Sequence, residues 1–202
     1  MTIKTFVLGE LYNNCYVIFD ENKRKGFIVD APAPISVVND FIRKEKLNIL
    51  FVILTHAHFD HIGGLDELDL PFFIHPKDVP LLHNANFNGS SFFGSSVAVK
   101  KEPAFLDEGV PIGVDSHRIE CIHTPGHTPG SVSLRLENWL FSGDTIFADS
   151  IGRTDIPLAS QQSLLKSIKE KILILPRDTI IYPGHGPSTT VGKELQSNPF
   201  LT

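Results

Sequence analysis

The sequence predicts an α/β protein whose helices lie on the outside of packed sheets. The chain has 202 residues with 42% hydrophobic side chains, enough for one domain with a substantial core. Short apolar runs typical of strands alternate with segments of helical periodicity. The order of strands, helix and strand occurs in both halves, and no linker rich in Pro and Gly divides them. We therefore expect a single domain over residues 1–202.

The first half opens with three predicted strands, separated by an Asn-Asn pair and by a charged turn: Ile3–Leu8, Cys15–Phe19 and Phe27–Val29. A helix follows, because the apolar residues between Ile35 and Ile42 recur at helical spacing. Ile49–Leu54 is wholly apolar, which indicates a buried strand and is too short for a membrane span. The segment from His56 to Gly64 is predicted to be a loop that leads into a short helix.

The first half continues with a strand over Phe72–Ile74 and a helical turn from Pro76 to Leu82. Residues 84–96 are rich in Asn, Ser, Gly and Phe, which predicts an exposed loop. Three phenylalanines in that loop have two interpretations, either the lining of a substrate mouth for an apolar acyl group or local packing on the sheet: Phe87, Phe92 and Phe93.

The second half repeats the pattern of the first. Three strands are predicted from alternation with period two: Arg118–His123, Val132–Leu136 and Trp139–Phe141. An amphipathic helix is predicted over Ser163–Leu175, because its apolar residues fall on one face. A strand over Thr179–Tyr182 and a helix over Thr190–Gln196 complete the predicted elements.

Composition excludes several classes of protein. The net charge is −5, from 18 Lys and Arg against 23 Asp and Glu, and no basic run is longer than Lys23–Lys25. Neither nucleic acid nor a membrane is therefore expected as a partner, and a small-molecule substrate is. Cys15 and Cys121 fall in apolar runs and are predicted to be buried free thiols. The absence of a disulfide framework and of a predicted signal peptide favours a cytoplasmic location.

Nine histidines in a small acidic protein point first to metal binding. The segment Thr55–Gly64 reads THAHFDHIGG and places His56, His58, Asp60 and His61 within six positions after the buried strand. In an extended segment His56 and His58 project to the same side, while Asp60 and His61 lie where the chain bends into a helix. Such a dense group of ligands makes an ordinary polar loop improbable.

Three further segments supply the ligands that two metal ions would still need. In each, a glycine precedes a polar residue in a turn at the end of a strand: His127 in TPGHTPGS, Asp144 in SGD and His185 in PGHG. One such turn alone is a weak signal, but together with the first motif they complete the number and type of ligands. A carboxylate can bridge two cations, so Asp144 is the natural shared ligand. Imidazole and carboxylate ligands suit zinc, with iron or manganese as alternative occupants.

The ordered set HAHFDH, TPGHTPGS, SGD and PGHG resembles the metallo-β-lactamase-fold hydrolases. More narrowly it resembles the glyoxalase II (hydroxyacylglutathione hydrolase) branch and its short relatives. The resemblance extends over nearly the whole chain and includes Asn13–Tyr16, Gly152–Asp155 and Gly186–Thr190. It implies a four-layer αββα sandwich with the metal site at one edge of the two sheets.

The same resemblance implies two divalent metal ions, with zinc expected. One ion would be held by His56, His58 and His127. The other would be held by Asp60, His61 and His185, with Asp144 bridging the two. The implied activity is that of a dinuclear hydrolase of small thioesters or esters, in which a metal-bridging hydroxide attacks the carbonyl carbon. Asp60 is the predicted catalytic residue, because it could accept or orient the proton of that water.

The chain departs from full-length glyoxalase II in two respects. That enzyme has a C-terminal helical extension that contributes to its glutathione site, and these 202 residues contain none. It also has a basic and then an aromatic residue after the bridging Asp; here Arg153 matches the basic position, but Asp155 stands where the aromatic residue would be. Arg153 is therefore interpreted either as a clamp for a substrate carboxylate or as the ion-pair partner of Asp155.

Other functions stay open or are disfavoured. The runner-up is a persulfide dioxygenase with one iron, because that branch also contains the sequence Gly-Arg-Thr-Asp; its ligands would come from His56, His58, His127 and Asp144. A scaffold without activity is disfavoured by the complete ligand set, a class B1 β-lactamase by the lack of a Cys near Asp144, and a nuclease by the acidic balance.

The remaining histidines lack ligand spacing, so we expect His75 and His123 to be structural and His83 and His117 to face solvent.

Overall fold

The computed structural model describes residues 1–201, within which the strands form two six-stranded sheets and one two-stranded hairpin. The first sheet has its strands in chain order: β1 (Thr2–Leu8), β2 (Asn13–Phe19), β3 (Lys25–Val29), β4 (Asn48–Ile53), β5 (Phe72–Ile74) and β6 (Ala104–Phe105). β2 pairs antiparallel with both β1 and β3, and β3 to β6 run parallel. The parallel part positions the site, because its strand ends meet at one edge.

The second sheet comes from the other half of the chain. Its strands are β7 (Ile112–Val114), β8 (His117–His123), β9 (Val132–Leu136), β10 (Trp139–Gly143), β13 (Ile180–Pro183) and β14 (Thr189–Thr190). They lie in the order β14-β13-β10-β9-β8-β7, with β10 and β13 parallel. A small hairpin, β11 (Ile146–Phe147) and β12 (Ser150–Ile151), follows β10.

Helices cover the outer faces of both sheets. The helices are α1 (Ser36–Glu45), α2 (Phe59–Ile62), α3 (Val79–Leu82), α4 (Gln161–Ser167) and α5 (Val191–Ser197). Val38 of α1 packs on the outer face of the first sheet, and Leu164 of α4 packs on the outer face of the second. Between the sheets lies a third apolar cluster that includes Ile18, Phe27 and Phe141. These four layers confirm the predicted αββα sandwich.

Several predicted bounds differ from the structure. The helix predicted over Ser163–Leu175 begins earlier, at Gln161, because the Ser160 side chain accepts a hydrogen bond from the Ser163 amide and caps it. It then continues as a π-helix over Ile168–Ile172. The strand predicted over Phe72–Ile74 is confirmed as β5. The two-residue strands, such as β6 and β14, were not predicted, since so short a segment shows no measurable period.

The prediction of an exposed loop over residues 84–96 was wrong in part. Asn88 and Ser90 are fully buried, and Ser90–Phe93 forms a 3₁₀ helix. The Asn88 amide donates to the carbonyl oxygens of Leu81 and Val97 at 3.1 and 2.8 Å. A polar residue that satisfies backbone acceptors can be buried inside a polar-looking segment. The tip of the loop is exposed as predicted.

The structure also bears on the cysteines and on membrane spans. Cys15 and Cys121 are buried free thiols, as predicted. Among the helices formed by residues 1–201, none has the length and apolar character needed to cross a membrane.

Candidate metal centre

Four strand ends bring the predicted ligands to one edge of the molecule. In the first sheet β3 and β4 run parallel, so Asp30 and the segment that begins at Thr55 leave the sheet at the same edge. In the second sheet the parallel pair β10 and β13 brings Asp144 and His185 together in the same way. A β-bridge between Asn13 and His185 joins the two halves at this point. The candidate centre therefore lies on the seam between the sheets.

Within residues 1–201, three overlapping groups of side chains each have their ligand atoms within 4.8 Å of one another. The first is His56, His58 and His127, and the second is Asp60, His61 and His185. The third joins them through His56, His61 and Asp144. The structure thus brings together all seven residues predicted as ligands, in the two sets that the sequence resemblance implied.

Asp144 lies between the two sets. Its Oδ1 is 3.3 Å from Nε2 of His61, while its Oδ2 is 3.5 Å from Nε2 of both His127 and His185. One carboxylate therefore lies beside histidines of both groups, which is the placement that a bridging ligand requires.

Each of four imidazoles uses its Nδ1 in a hydrogen bond directed away from the centre. His61 Nδ1 lies 2.8 Å from Asp30 Oδ2, and His56 Nδ1 lies 3.1 Å from the Thr55 hydroxyl. His127 and His185 donate from Nδ1 to backbone carbonyl oxygens, those of Arg153 and Leu11, at 2.9 Å each. These bonds orient the rings so that Nε2 faces the centre, where the neutral form of each imidazole could bind a cation.

Three buried polar atoms at the centre of the group have no hydrogen-bond partner among the described residues: Nε2 of His56, Nε2 of His61 and Oδ1 of Asp144. Buried polar atoms without partners are rare in proteins because each costs about 1–3 kcal/mol. Cations bound among these side chains would satisfy all three. The donor set and its unpaired atoms therefore fit divalent metal ions.

The first group of histidines is held neutral. Burial lowers the pKa of His56, and the neighbouring imidazoles lower it further. Burial and the adjacent His127 lower the pKa of His58 to about 3. Burial likewise lowers the pKa of His127. Neutral imidazoles have the free lone pairs that a metal ion needs, so this group requires no proton loss to bind one at pH 7.

The second group is more negative. Burial alone would lower the pKa of His61, but the carboxylates of Asp30 and Asp144 raise it. Burial alone would raise the pKa of Asp144, but the charge of His61 lowers it. The pKa of Asp60 is likewise raised by burial and lowered more by His61 and His185. Ionised carboxylates therefore surround this part of the centre and attract cations.

Asp30 is a functional residue that the sequence analysis missed. Its Oδ1 accepts from the Thr55 amide at 2.8 Å, and its Oδ2 accepts from the Thr55 hydroxyl at 2.9 Å and faces His61. It thus orients His61 directly and His56 through Thr55. The available signal was its position, a lone acidic residue after a strand end like that of Asp144, but no spacing singled it out.

Asp78 is a second missed residue, and it joins the two loops that carry the first group. Its Oδ2 accepts from the Ala57 amide at 3.0 Å and from the Thr128 hydroxyl at 2.7 Å. Its Oδ1 accepts from the Gly130 amide at 2.6 Å. Ala57 lies between two predicted ligands, and Thr128 follows a third. This buried carboxyl therefore holds the ligand loops against each other.

Gly184 allows the last ligand loop to approach the centre. A Cβ at this position would collide with Oδ1 of Asp144 and lie 2.8 Å from Cε1 of His61. The Gly184 carbonyl also accepts from the Asn14 amide at 2.7 Å. Only a glycine fits here, which explains the residue before His185.

A cavity of about 570 Å³ opens beside the centre. His58, Asp60, Asp144 and His185 lie on its floor, and apolar side chains form much of its wall. Asp60 Oδ2 is 3.2 Å from Nε2 of His185 and 3.5 Å from the Asn13 amide nitrogen. The predicted catalytic carboxylate therefore faces the space that a small substrate would occupy.

Arg153 also lines this cavity and pairs with Asp155. Its Nε and Nη2 donate to the two oxygens of Asp155 at 2.8 and 2.9 Å. Of the two interpretations drawn from the sequence, the structure contains the ion pair. A role in binding substrate stays a prediction.

The remaining histidines lie away from the centre. His75 is buried and His123 half-buried, and their rings stack at 4.1 Å between centroids, an arrangement without a signal in the sequence. His83 is exposed as predicted, and its Nδ1 donates to the Val99 carbonyl. His117 is half-buried beside Glu137 at 2.9 Å, so its prediction as a solvent-facing side chain was wrong in part.

Comparison with known proteins places this architecture in context. The family model described as the metallo-beta-lactamase superfamily matches residues 8–185. A "probable metallo-hydrolase YqgX" of Bacillus subtilis is 37% identical, with 96% of this chain and 94% of that protein covered. The "hydroxyacylglutathione hydrolase GloC" of Haemophilus influenzae is 33% identical, with 100% and 98% covered. The crystal structure of "BLEG-1 B3 metallo-beta-lactamase" superposes with a TM-score of 0.94 at 38% identity, with both chains covered completely.

Proposed function

Because the chain belongs to the metallo-beta-lactamase superfamily, we propose that it is a dinuclear hydrolase of small thioesters, of the hydroxyacylglutathione hydrolase type. One observation carries the proposal. Seven potential ligands converge in two sets joined by Asp144, and five of the seven line an open cavity. The name and coverage of the Haemophilus influenzae relative support the thioester class.

The seven potential ligands divide between two metal positions. His56, His58 and His127 would hold one divalent ion, and Asp60, His61 and His185 the other, with Asp144 shared between them. Bound divalent cations supply an acidified water and a Lewis acid for a carbonyl oxygen. Zinc is the expected metal, because imidazole nitrogens are among its preferred ligands. Hydrogen bonds orient four of the histidines toward the centre: His56, His61, His127 and His185.

Asp60 has the second role of handling a proton. Its Oδ2 faces both the cavity and His185, and ionisation leaves it able to accept a hydrogen bond from a water on the cavity floor. A thiolate is a good leaving group that needs little protonation, so no separate general acid is required on the far side of a thioester. The absence of that requirement favours thioesters over amides for this site.

Two measurements on the same sample test the proposal. Protein purified without chelator is analysed for metals by mass spectrometry, and hydrolysis of S-D-lactoylglutathione is followed by loss of the thioester absorbance. We expect two divalent ions per chain and turnover that disappears in His127→Ala. His117→Ala, an imidazole deletion far from the centre, serves as the matched control and should keep both metal and activity.

Two further assays separate the competing activities. One iron per chain with oxygen uptake on glutathione persulfide, and no thioester hydrolysis, would replace the proposal by the dioxygenase interpretation. The similarity to a protein named a B3 metallo-beta-lactamase makes a β-lactam substrate the other necessary arm. Faster hydrolysis of a β-lactam than of any thioester would overturn the proposed substrate class while keeping the metal centre.

A further inference from the structure

The cavity beside the candidate metal centre has a wall of aromatic and aliphatic side chains. Its apolar lining includes Phe59, Phe87, Phe92, Phe93, Phe147 and Ile156. Phe59 lies between the predicted ligands His58 and Asp60, so this wall begins at the metal centre itself. An acyl group whose carbonyl lies on the cavity floor would therefore contact phenylalanine rings.

The side chains of this wall are exposed to solvent, although exposing apolar surface to water is unfavourable. The side chains of Phe92 and Phe93 are 67% and 55% accessible, and the Phe93 ring packs against Phe59 at 4.9 Å between centroids. Large apolar groups that gather around a cavity in this way mark binding sites, because burying them against a ligand is favourable. Exposure at the cavity mouth therefore points to an apolar ligand.

The segment that carries these rings is anchored. Asn88 is fully buried, its amide donates to the carbonyls of Leu81 and Val97, and its Oδ1 accepts from the Ser90 amide at 3.0 Å. The Ser90 hydroxyl in turn accepts from the Val97 amide at 3.1 Å. The base of the loop is thus hydrogen-bonded in place, and the aromatic wall is preformed, which favours binding.

The charges of the cavity point the same way. Of the residues in 1–201 that line it, Arg153 is the one Lys or Arg, and both oxygens of Asp155 engage its guanidinium. Glutathione has two carboxylates, and a planar guanidinium is the group that would bind one of them bidentately. Here a substrate carboxylate would first have to displace Asp155. We therefore expect the cavity to bind thioesters of anionic thiols little more tightly than thioesters of neutral thiols.

We propose that the substrates are thioesters with an apolar acyl group, of aryl or medium alkyl size, and that the charged arms of the thiol contribute little to recognition. This inference rests on the thioester hydrolase activity proposed above. The aromatic wall recognises the acyl group, and Asp155 suppresses recognition of carboxylates by Arg153. Phe92 and Phe93 are specificity-determining residues in this proposal.

A matched set of four thioesters tests both parts. Lactoyl and phenylacetyl groups are each attached to glutathione and to N-acetylcysteamine, and kcat/KM is measured for all four. We expect the phenylacetyl thioesters to be favoured about tenfold or more on either thiol, the effect of burying roughly one ring face. Exchange of glutathione for N-acetylcysteamine should change kcat/KM by less than about threefold. A tenfold preference for lactoylglutathione would overturn the proposal while leaving thioester hydrolysis intact.

Binding of thioethers, which cannot be hydrolysed, separates recognition from turnover. Isothermal titration with S-methyl and S-hexyl derivatives of the same two thiols should show about tenfold tighter binding of each hexyl compound. If no thioester is hydrolysed but the hexyl preference is present, the proposed reaction fails and the apolar site stands. Equal affinity of the methyl and hexyl compounds would remove the apolar site.

Two variants assign the effect to residues. The double substitution Phe92→Ala and Phe93→Ala should abolish the hexyl and phenylacetyl preferences, while Phe105→Ala with Phe200→Ala, also exposed phenylalanines, should keep them. Asp155→Ala releases Arg153 and should lower the Kd of S-methylglutathione about tenfold without affecting the N-acetylcysteamine compounds. An unchanged Kd in Asp155→Ala would show that Arg153 is not restrained by this pair.

Discussion

Asp144 is the residue on which both candidate metal positions depend. Its carboxylate lies beside histidines of both ligand sets, His127 of the first and His61 and His185 of the second, and no other described side chain does so through a carboxylate. We expect Asp144→Ala to lower metal content and hydrolase activity together. Activity should fall more than about 100-fold. Substituting a residue that only hydrogen-bonds to a metal ligand already lowers metal affinity or activity by about 10–100-fold, and Asp144 is itself a predicted ligand. The measurement is metal stoichiometry by mass spectrometry with kcat on the same preparation.

A matched control is Asp40→Ala, which removes an exposed carboxylate of α1 and should change neither quantity. If Asp144→Ala retained two ions and normal turnover, the role of Asp144 as a bridge would have to be abandoned.

Asp78 should make stability depend on pH in a defined direction. Burial raises the pKa of this carboxyl from 3.8 to about 6, although three hydrogen bonds oppose the shift. Since its folded-state pKa exceeds the unfolded value, the folded protein binds more protons between these two pKa values. The contribution of Asp78 to the free energy of unfolding is therefore greatest below about pH 4, and it decreases as the pH rises from there through 6.

The variant Asp78→Asn isolates this contribution. It lacks the titration and leaves one of the three donors without an acceptor, at a cost of about 1–3 kcal/mol. We expect the difference in free energy of unfolding between wild type and variant to shrink from pH 4 to pH 6.5. Urea unfolding of the metal-free proteins across this range gives that difference. A difference that grew with pH would mean that the hydrogen bonds, rather than burial, control the pKa of Asp78.

Among the elements, α4 depends on a cap that also joins it to a ligand loop. The Ser160 hydroxyl accepts from the Ser163 amide, and the Ser160 amide donates to the Gly126 carbonyl, directly before His127. We expect Ser160→Ala to lower the free energy of unfolding by about 1 kcal/mol, the usual value of an N-terminal cap. Chemical denaturation measures it. Ser163→Ala keeps the amide that is capped and should cost less; equal losses would argue against the cap.

The elements also show which parts of the fold could be predicted. Strand β4 and the ligands after it were predictable, because a wholly apolar run followed by four ligands in six positions is a dense local signal. Asp30 and Asn13 act at the same centre, yet each is a single polar residue whose partners are distant in the chain. Strands such as β6 and β14 depend on pairing with neighbours rather than on their own composition. Sequence patterns report local order, and these features are set by tertiary contacts.

For the whole molecule, metal binding should contribute to stability. The centre unites segments of both halves of the chain, and its unpaired buried atoms are satisfied only when cations bind. A ligand that binds only the folded state, at a free concentration 1,000 times its Kd, raises the free energy of unfolding by about 4 kcal/mol. For a protein of this size we expect chelation to lower the Tm by roughly 10 °C.

Differential scanning calorimetry before and after dialysis against chelator tests this expectation. His127→Ala, which lacks one predicted ligand, should show a smaller shift, and His117→Ala the full shift. A Tm that chelator leaves unchanged in the wild type would show that the fold does not depend on its metals.

The Asn13–His185 bridge has a consequence for the order of events during biosynthesis. Four ligands are translated by residue 61, but the next are at 127 and 144 and the last at 185. A nascent chain that has emerged only through its first sheet exposes an incomplete set, capable of weak and unselective capture of ions. We expect firm metallation to wait until residue 185 has left the ribosome and β13 has paired with β10. Metal acquisition by this protein would then be a post-translational event, set by the ions available to the released chain.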